Sequence, residues 1–204
     1  MPVIVSLLRG VNVGGHHKIR MEALRALCEE LGLRDVQTCG QSGNVVFRHS
    51  GRDLARLGKR IEDGIERSFG FRASVILRTA AELRDVIARN PFAKRPGIDP
   101  SKLIVTFLTA DPSPEARERI LAVKGDPEEL RISGRELFIY FPNGMARANL
   151  QPAVIEKTLK KSGTGRNWNT VTKLLEMAWR HARRASPAAI PALCRPRSWT
   201  WHRG

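Results

Sequence analysis

Apolar runs of strand length alternate along the first half of the chain with apolar stripes at helical spacing. The pattern predicts strands at residues 3–8, 36–38, 45–47 and 73–78, and helices at 21–31 and 52–69. Glycines at 32 and 70 are suitable helix ends. The predicted order is therefore strand, helix, strand, strand, helix, strand.

The pattern begins again in the second half. Residues 79–90 predict a third helix, in which Thr79 and Glu82 have the spacing of a capping box. The segment NPFAKRPGIDPS (90–101) carries three prolines and marks the boundary between halves. Beyond it we predict strands at 102–109, 129–132 and 136–141, and helices at 114–123, 149–161 and 168–183. Asp111 or Ser113 is the expected cap of the helix at 114–123, and a fourth strand of this half has no evident signature.

Both halves share one order of elements, although no residue repeat is detectable. The order is that of a split β-α-β unit with a hairpin inside it. We therefore predict an α+β protein of two ferredoxin-like halves, with mainly antiparallel sheets and helices packed on them. The expected division is 1–90, a ferredoxin-like half with a trailing helix, 91–178, a second α+β half, and 179–204, a basic extension containing Pro and Trp.

Three polar stretches rich in glycine adjoin apolar segments: LLRGVNVGG (7–15), CGQSGNVVF (39–47) and GTGRNWNT (163–170). In a ferredoxin-like sheet the first and third strands are antiparallel neighbours, so the end of one lies beside the start of the other. Arg9 follows the first strand, and Asn44 begins the third after a turn at Gln41, Ser42 and Gly43. The topology therefore predicts that the first two stretches meet at one edge of the sheet.

The residue types in these two stretches suit an anionic ligand. Arg9 offers a planar fork of donors for phosphate or carboxylate, and the glycines allow close approach of backbone N–H groups. Lys18 and the N-terminus of the first helix add positive potential. The alternative is structural: Asn12, Ser42 and Asn44 tie the loop backbone, and Arg9 forms an ion pair with a helix carboxylate such as Glu22. Neither nucleotide-binding glycine fingerprint is present.

The segments LLRGVNVGG…KIRM, QSGNVVF and TGRNWNTVTKL resemble a bacterial family known as domain of unknown function 1697. The resemblance spans about Met1 to Ala178 and implies an α+β fold of ferredoxin-like units, without an established activity. It implies these polar site residues: Arg9, Asn12, Gly14, Gly15, Lys18, Gln41, Ser42, Gly43, Asn44, Arg166, Asn167, Asn169 and Thr170. Asn167 has an alternative interpretation as a helix N-cap. The chain departs from the family at Arg20, where related members often carry proline, and in its long C-terminal tail.

The net charge of +15 suggests a second class of function, nucleic-acid binding. Residues 179–204 contain six arginines and no acidic residue, so the first 178 residues carry +9. The other basic residues are interspersed with acidic ones, as on an ordinary mixed surface. The strands also lack the exposed aromatic pattern of RNA-binding sheets.

No apolar run is long enough for a membrane helix, and the apolar N-terminus lacks the basic region of a secretory signal. Three widely spaced cysteines favour a reducing cytoplasm. We expect a monomer, with a dimer through sheet edges as the alternative.

The sequence names no reaction, cofactor or metal. His16 and His17 are adjacent, which is poor spacing for shared metal ligation. An enzyme that uses Arg9 for transition-state charge is a third hypothesis, with Cys39 as a candidate nucleophile. The alternative for Cys39 is a small core or strand-end residue. Acidic residues are sparse in the three stretches, which disfavours paired-carboxylate catalysis.

Overall fold

The structure is a computed structural model that describes residues 1–123, 125–145, 148, 150 and 152–185. In the first half the elements are β1 (Val3–Leu8), α1 (Met21–Glu30), β2 (Arg34–Cys39), β3 (Asn44–Arg48), α2 (Leu54–Phe69), β4 (Val75–Thr79) and α3 (Ala80–Ala88). After a short 3-10 helix (Pro100–Lys102), the second half contains β5 (Leu103–Leu108), α4 (Pro114–Ala122), β6 (Glu129–Ser133), β7 (Glu136–Tyr140), α5 (Pro152–Leu159), β8 (Gly163–Asn167) and α6 (Trp168–Ala185).

Each half forms a four-stranded antiparallel sheet with helices packed on it. The strand orders are β2-β3-β1-β4 and β6-β7-β5-β8, so the first and third strands of each half lie in the centre. These orders confirm the predicted α+β architecture of two ferredoxin-like halves. In the first sheet, Leu7 pairs with Asn44, which brings the end of β1 beside the start of β3.

The period of two along β1 distributes its side chains between two cores. Val5 and Leu7 face the second half, whereas Ile4 and Leu8 face α1 and α2. The core between the halves contains one face of each sheet together with α3 and α6. A third core lies between the second sheet and helices α4 and α5. Helices therefore cover both sides of each sheet, and α3 and α6 join the two halves.

The strand that the sequence did not reveal is β8. Residues 163–167 were interpreted as part of a polar loop, but they pair with β5, from Ile104 opposite Asn167 to Leu108 opposite Gly163. A Cβ atom at Gly163 would lie 2.9 Å from both the Phe107 carbonyl oxygen and Thr106 Cγ2. This strand thus needs glycine for close approach, and it lacks the β-branched apolar residues by which strands are usually recognised.

Side-chain caps begin α2, α3, α4 and α6, and at α6 Asn167 accepts from Asn169 N–H, which confirms its interpretation as an N-cap. Asp53 accepts from Arg56 N–H, and Thr79 forms the predicted capping box with Glu82. Of the two caps considered for α4, Ser113 is the correct one, accepting from Ala116 N–H. Helix α6 continues to Ala185, so the predicted extension begins as helix, and residues 186–204 lie outside the described part of the chain. Within the described part, no helix has the length and apolar character needed to cross a membrane.

Candidate functional site

The first two polar stretches meet as their positions in the fold predicted. Leu8 N–H donates to the Gly43 carbonyl over 3.0 Å, and Asn12 Nδ2 donates to the Gln41 carbonyl over 2.7 Å. Gly43 is buried, whereas the Gln41 and Ser42 side chains are exposed at the hairpin turn. We call this meeting point of β1, the β2–β3 turn and β8 the polar junction.

Asn12 organises the loop that follows β1. Its Oδ1 accepts from Ile19 N–H and its Nδ2 donates to the Ile19 carbonyl, in addition to the bond with Gln41. The backbone of Asn12 is left-handed, with φ 56°, which asparagine tolerates better than most residues. Gly14 and Gly15 are also left-handed and form the exposed tip of this loop.

The third stretch enters the junction through the buried side chain of Arg166. Its five N–H donors each have an acceptor. Nε donates to Asn44 Oδ1; Nη1 donates to Thr164 Oγ1 and the Gly165 carbonyl; Nη2 donates to the Leu8 and Ser42 carbonyls. These distances run from 2.5 to 3.0 Å. The guanidinium therefore fastens β8 of the second half to β1 and the β2–β3 turn of the first.

Every acceptor around Arg166 is neutral. Removal from water lowers the pKa of its guanidinium to about 10, since no carboxylate stabilises the charge. The side chain nevertheless remains protonated at neutral pH. Asn44, itself buried, positions its Oδ1 by donating from Nδ2 to the Cys39 carbonyl over 2.9 Å. The junction thus holds a buried cation that is coordinated but not neutralised.

A corresponding arginine occupies the other half. Arg78 is the fourth residue of β4, as Arg166 is the fourth residue of β8. Arg78 Nη2 donates to the Leu108 carbonyl at the end of β5, as Arg166 Nη2 donates to the Leu8 carbonyl at the end of β1. Each arginine therefore leaves its own half and binds the last residue of the other half's first strand.

The two arginines differ in the residue that each contacts at the start of the other half's third strand. Arg78 Nε donates to Glu136 Oε1 over 3.1 Å, where Arg166 has the amide of Asn44. Arg89 lies 3.2 Å from the other Glu136 oxygen. Burial lowers the pKa of Arg78, and the charge of Glu136 opposes that shift. One crossing arginine is thus neutralised by a carboxylate and the other is not.

Arg9 and Lys18 lie at the outer side of the junction. Arg9 Nη2 forms an ion pair of 2.8 Å with Glu156 on α5, so its partner is a helix carboxylate but not Glu22. Its side chain is 40% exposed. Lys18 is exposed and has no ion pair with any described residue. Arg20, at the N-cap of α1, supplies no side-chain acceptor to the first turn of that helix.

The remaining predicted residues belong to the start of α6. Asn167 Oδ1 accepts from Asn169 N–H over 2.9 Å, and Asn167 Nδ2 donates to the Ser101 carbonyl over 2.6 Å. The Asn169 carbonyl accepts from Thr172 Oγ1. Thr170 lies half-buried in the first turn. These contacts tie α6 to the segment before β5, and they do not connect Asn167, Asn169 or Thr170 with Asn12 or Asn44.

Cys39 is poorly suited to nucleophilic chemistry. Burial raises the pKa of its thiol, and Lys173 only partly opposes the shift. A thiolate is therefore scarce at neutral pH. Cys28 and Cys39 are both buried and unpaired. In the described residues, no three His, Cys, Asp or Glu side chains come together as a metal site.

Two four-stranded ferredoxin-like sheets, joined by reciprocal arginines and by α3 and α6, define the chain as a fused pair of α+β halves. The family model "Protein of unknown function (DUF1697)" matches residues 1–138, and the chain belongs to this family. The matched region includes the first two polar stretches, whereas the third lies beyond it. No curated protein matches the chain.

A solved structure has the same fold. The conserved bacterial protein SP0830 from Streptococcus pneumoniae matches with a TM-score of 0.62 and 21% sequence identity. The match covers 87% of this chain and 98% of that one. At this identity the likeness concerns the fold alone.

The sequence reasoning missed Arg78 and Glu136. A usable signal was present, because the fourth strand of each half ends in an arginine and a capping residue, Arg78–Thr79 and Arg166–Asn167. This shared pair is hard to recognise in the sequence, because residues 163–167 lack the usual signature of a strand and have no other evident similarity to residues 75–79.

Proposed function

We propose that the protein binds a small anionic or nucleotide-like ligand at the polar junction. One observation carries the proposal: Arg166 is a buried cation without a carboxylate partner among the residues that the structure describes, whereas the corresponding Arg78 is paired with Glu136. A ligand anion near the junction would supply the negative charge that the protein itself supplies at Arg78. Such compensation is strong where water is partly excluded.

The donors available to the ligand are those that the fold does not use. The N–H groups of the Arg166 guanidinium and of the Asn12 amide are already used in the hydrogen bonds described above. We therefore assign these two residues, together with Asn44, Gly43 and Ser42, a supporting role. Direct contacts would come from Lys18, the backbone N–H groups of Gly14 and Gly15, and the uncapped first turn of α1. Arg9 retains free donors beside its bond to Glu156, and Gln41 contributes an exposed amide. Asn167, Asn169 and Thr170 belong to the proposal as residues that hold α6 beside the junction.

Thermal-shift measurements with ATP, ADP, inorganic phosphate and phosphoenolpyruvate test this proposal. We expect at least one of these anions to raise the Tm of the parent protein. Lys18→Gln and Arg9→Ala should reduce the shift because they remove contacts. Asn44→Asp should reduce it because a carboxylate then neutralises Arg166 from inside.

Lys94→Gln, which removes an exposed charge elsewhere, is the matched control and should leave the Tm shift unchanged. The proposal fails if none of the four anions gives a shift, or if Arg9→Ala, Lys18→Gln and Asn44→Asp all retain it in full. Circular dichroism of each variant verifies that the fold persists.

We also infer a cytoplasmic, monomeric protein. The buried, unpaired thiols of Cys28 and Cys39 are consistent with a reducing compartment. Sheet faces on the side between the halves are covered internally, which supports a monomer. Sedimentation equilibrium of the full chain would measure the oligomeric state.

Nucleic-acid binding is the second candidate, favoured by the net charge of +15. Gel shifts with single-stranded RNA and duplex DNA at two salt concentrations test it. A truncation should end after Ala185, because Trp179 packs against the core between the halves. Binding retained by this truncated chain would support an interface on the folded body, whereas binding lost with residues 186–204 would indicate an electrostatic tail.

A further inference from the structure

A groove of about 480 Å³ opens beside β4, the edge strand of the first sheet. One wall is a single face of α2 and the other is β4, and Arg72, Glu82, Thr109 and Arg135 complete the lining. The volume lies within the range of small-molecule sites. None of the thirteen polar residues predicted from the sequence lines this groove.

The groove carries an excess of positive charge. Four basic side chains line it, Lys59, Arg72, Arg78 and Arg135, against two acidic ones, Glu62 and Glu82. Such a lining attracts anions and repels cations.

Both carboxylates of the groove are already engaged. Glu62 Oε1 accepts from Val75 N–H over 2.9 Å. Glu82 accepts from Thr79 N–H and from Arg135 Nη2, each over 2.8 Å. Glu82 is therefore paired with Arg135, whereas Glu62 accepts from a neutral N–H and keeps its negative charge in the groove.

Two basic side chains remain available to a ligand. Lys59 has no ion pair with any residue that the structure describes, and the ion pair of Arg72 with Asp63 is long, at 3.7 Å between Nη2 and Oδ1, and exposed to water. Both Lys59 and Arg72 are exposed. Arg78, in contrast, is buried and committed to Glu136.

The backbone of β4 argues against a peptide as the occupant. Arg9 N–H donates to the Ser74 carbonyl, so by antiparallel alternation residues 75, 77 and 79 direct their backbone groups away from β1. Side chains already occupy three of these six groups: Glu62 accepts from Val75 N–H, Arg78 Nη1 donates to the Leu77 carbonyl and Glu82 accepts from Thr79 N–H. An added strand would therefore find the edge blocked.

We propose that this groove is a second ligand site, which binds a small organic anion. Its apolar body packs on Gly58, Ala55 and Leu77, and its phosphate, sulfonate or carboxylate group meets Lys59 and Arg72. Gly58 lines the groove without a side chain, and a Cβ atom there would lie 3.8 Å from the Val75 carbonyl oxygen, in ordinary van der Waals contact. The site shares no lining residue with the polar junction, so either proposal can fail without the other.

The probe is 8-anilinonaphthalene-1-sulfonate, an aromatic anion whose fluorescence rises on transfer from water, titrated into the full chain. We expect saturable binding that Lys59→Gln/Arg72→Gln weakens by about tenfold, since two charge-assisted contacts are lost. Ala55→Leu should also weaken binding, because it narrows the groove without changing charge. N-phenyl-1-naphthylamine, the same scaffold without the sulfonate, should bind more weakly than the anion.

The matched control is Arg25→Gln/Lys94→Gln, which removes the same charge from exposed positions outside the groove and should leave the dissociation constant unchanged. Asn44→Asp should also leave it unchanged, which separates this site from the polar junction. Equal weakening by the groove variant and either control would overturn the proposal, as would equal affinity for the neutral amine. All four altered groove and control cations are exposed, so these variants keep the fold.

Discussion

Arg78 and Arg166 occupy corresponding positions in the two halves. Each donates a hydrogen bond to the carbonyl that ends the first strand of the other half. Arg78 reaches the Leu108 carbonyl over 3.1 Å, and Arg166 reaches the Leu8 carbonyl over 2.6 Å. Because the crossing is reciprocal, the carbonyl at the end of the first strand in each half accepts a hydrogen bond from an arginine of the other half. The charges are not reciprocal, because Glu136 faces Arg78 and Asn44 faces Arg166.

Replacing Arg166 by alanine should strongly destabilise the protein. The change leaves the buried Asn44 Oδ1 without its donor and leaves the Leu8 carbonyl with only the Thr164 hydroxyl, 3.3 Å away. We expect a loss of about 3 kcal/mol or more in the free energy of unfolding. Urea unfolding followed by circular dichroism measures it. Arg84→Ala, which removes an exposed pair with Asp85, should cost less than about 1 kcal/mol. Similar losses in the two variants would contradict the role of Arg166 as a fastening between halves.

The negative charge of Glu136 should contribute more to the stability of the protein than the shape of its side chain. Glu136→Gln retains a hydrogen-bond acceptor for Arg78 but removes the charge that faces both Arg78 and Arg89, at an expected cost of about 1–3 kcal/mol. Glu129→Gln is the control, because Glu129 pairs with Arg95 at the surface. If Glu136→Gln is as stable as the parent, the Arg78 site tolerates a neutral amide as the Arg166 site does, and the difference in charge has no energetic meaning.

Glycine at position 43 should be far less replaceable than glycine at 14 or 15. All three have positive φ, but a Cβ atom at Gly43 would lie 2.5 Å from Val11 Cγ2 and 2.8 Å from Leu8 Cβ, whereas nothing lies within 4 Å at the other two. We expect Gly14→Ala and Gly15→Ala to cost about 1 kcal/mol each from backbone strain, and Gly43→Ala to cost more because steric overlap is added. Thermal unfolding of the three variants tests this order, and equal losses would refute it.

Stability should fall as the pH rises from 9 to 10. Burial raises the pKa of the Cys28 thiol from 9.0 to about 12. In this interval the unfolded chain loses the thiol proton while the folded chain keeps it, so ionisation favours unfolding by up to about 1.4 kcal/mol per pH unit. Arg166 acts in the opposite direction, but only above its folded pKa of about 10.

Urea unfolding of the parent and of Cys28→Ala at several pH values isolates this contribution, because the other titrating groups are common to both. The parent should lose stability with pH more steeply than the variant. Parallel slopes would show that Cys28 does not keep its proton in the folded state.

The polar pattern predicted the position of the junction and left two uses open for its residues, the binding of a ligand and the tying of loop backbone. Asn44 and Asn12 were candidates for a ligand, and the structure gives both side chains backbone partners. Those partners lie 5 to 29 residues away in the chain. Hydrogen-bond capacity can be read from residue types, whereas the acceptor that satisfies it depends on which backbone groups the fold leaves unpaired.

The sequence by itself determined the secondary structure of most of the chain and the order of the strands within the first half. Periodicity and turn residues act over a few positions, and antiparallel topology then forces Leu7 beside Asn44. Only the tertiary structure decided that residues 163–167 are a strand and that Arg166 and Arg78 cross between halves. A glycine-rich edge strand has almost no local signature, and a hydrogen bond spanning 158 residues exists only after two cores have packed together.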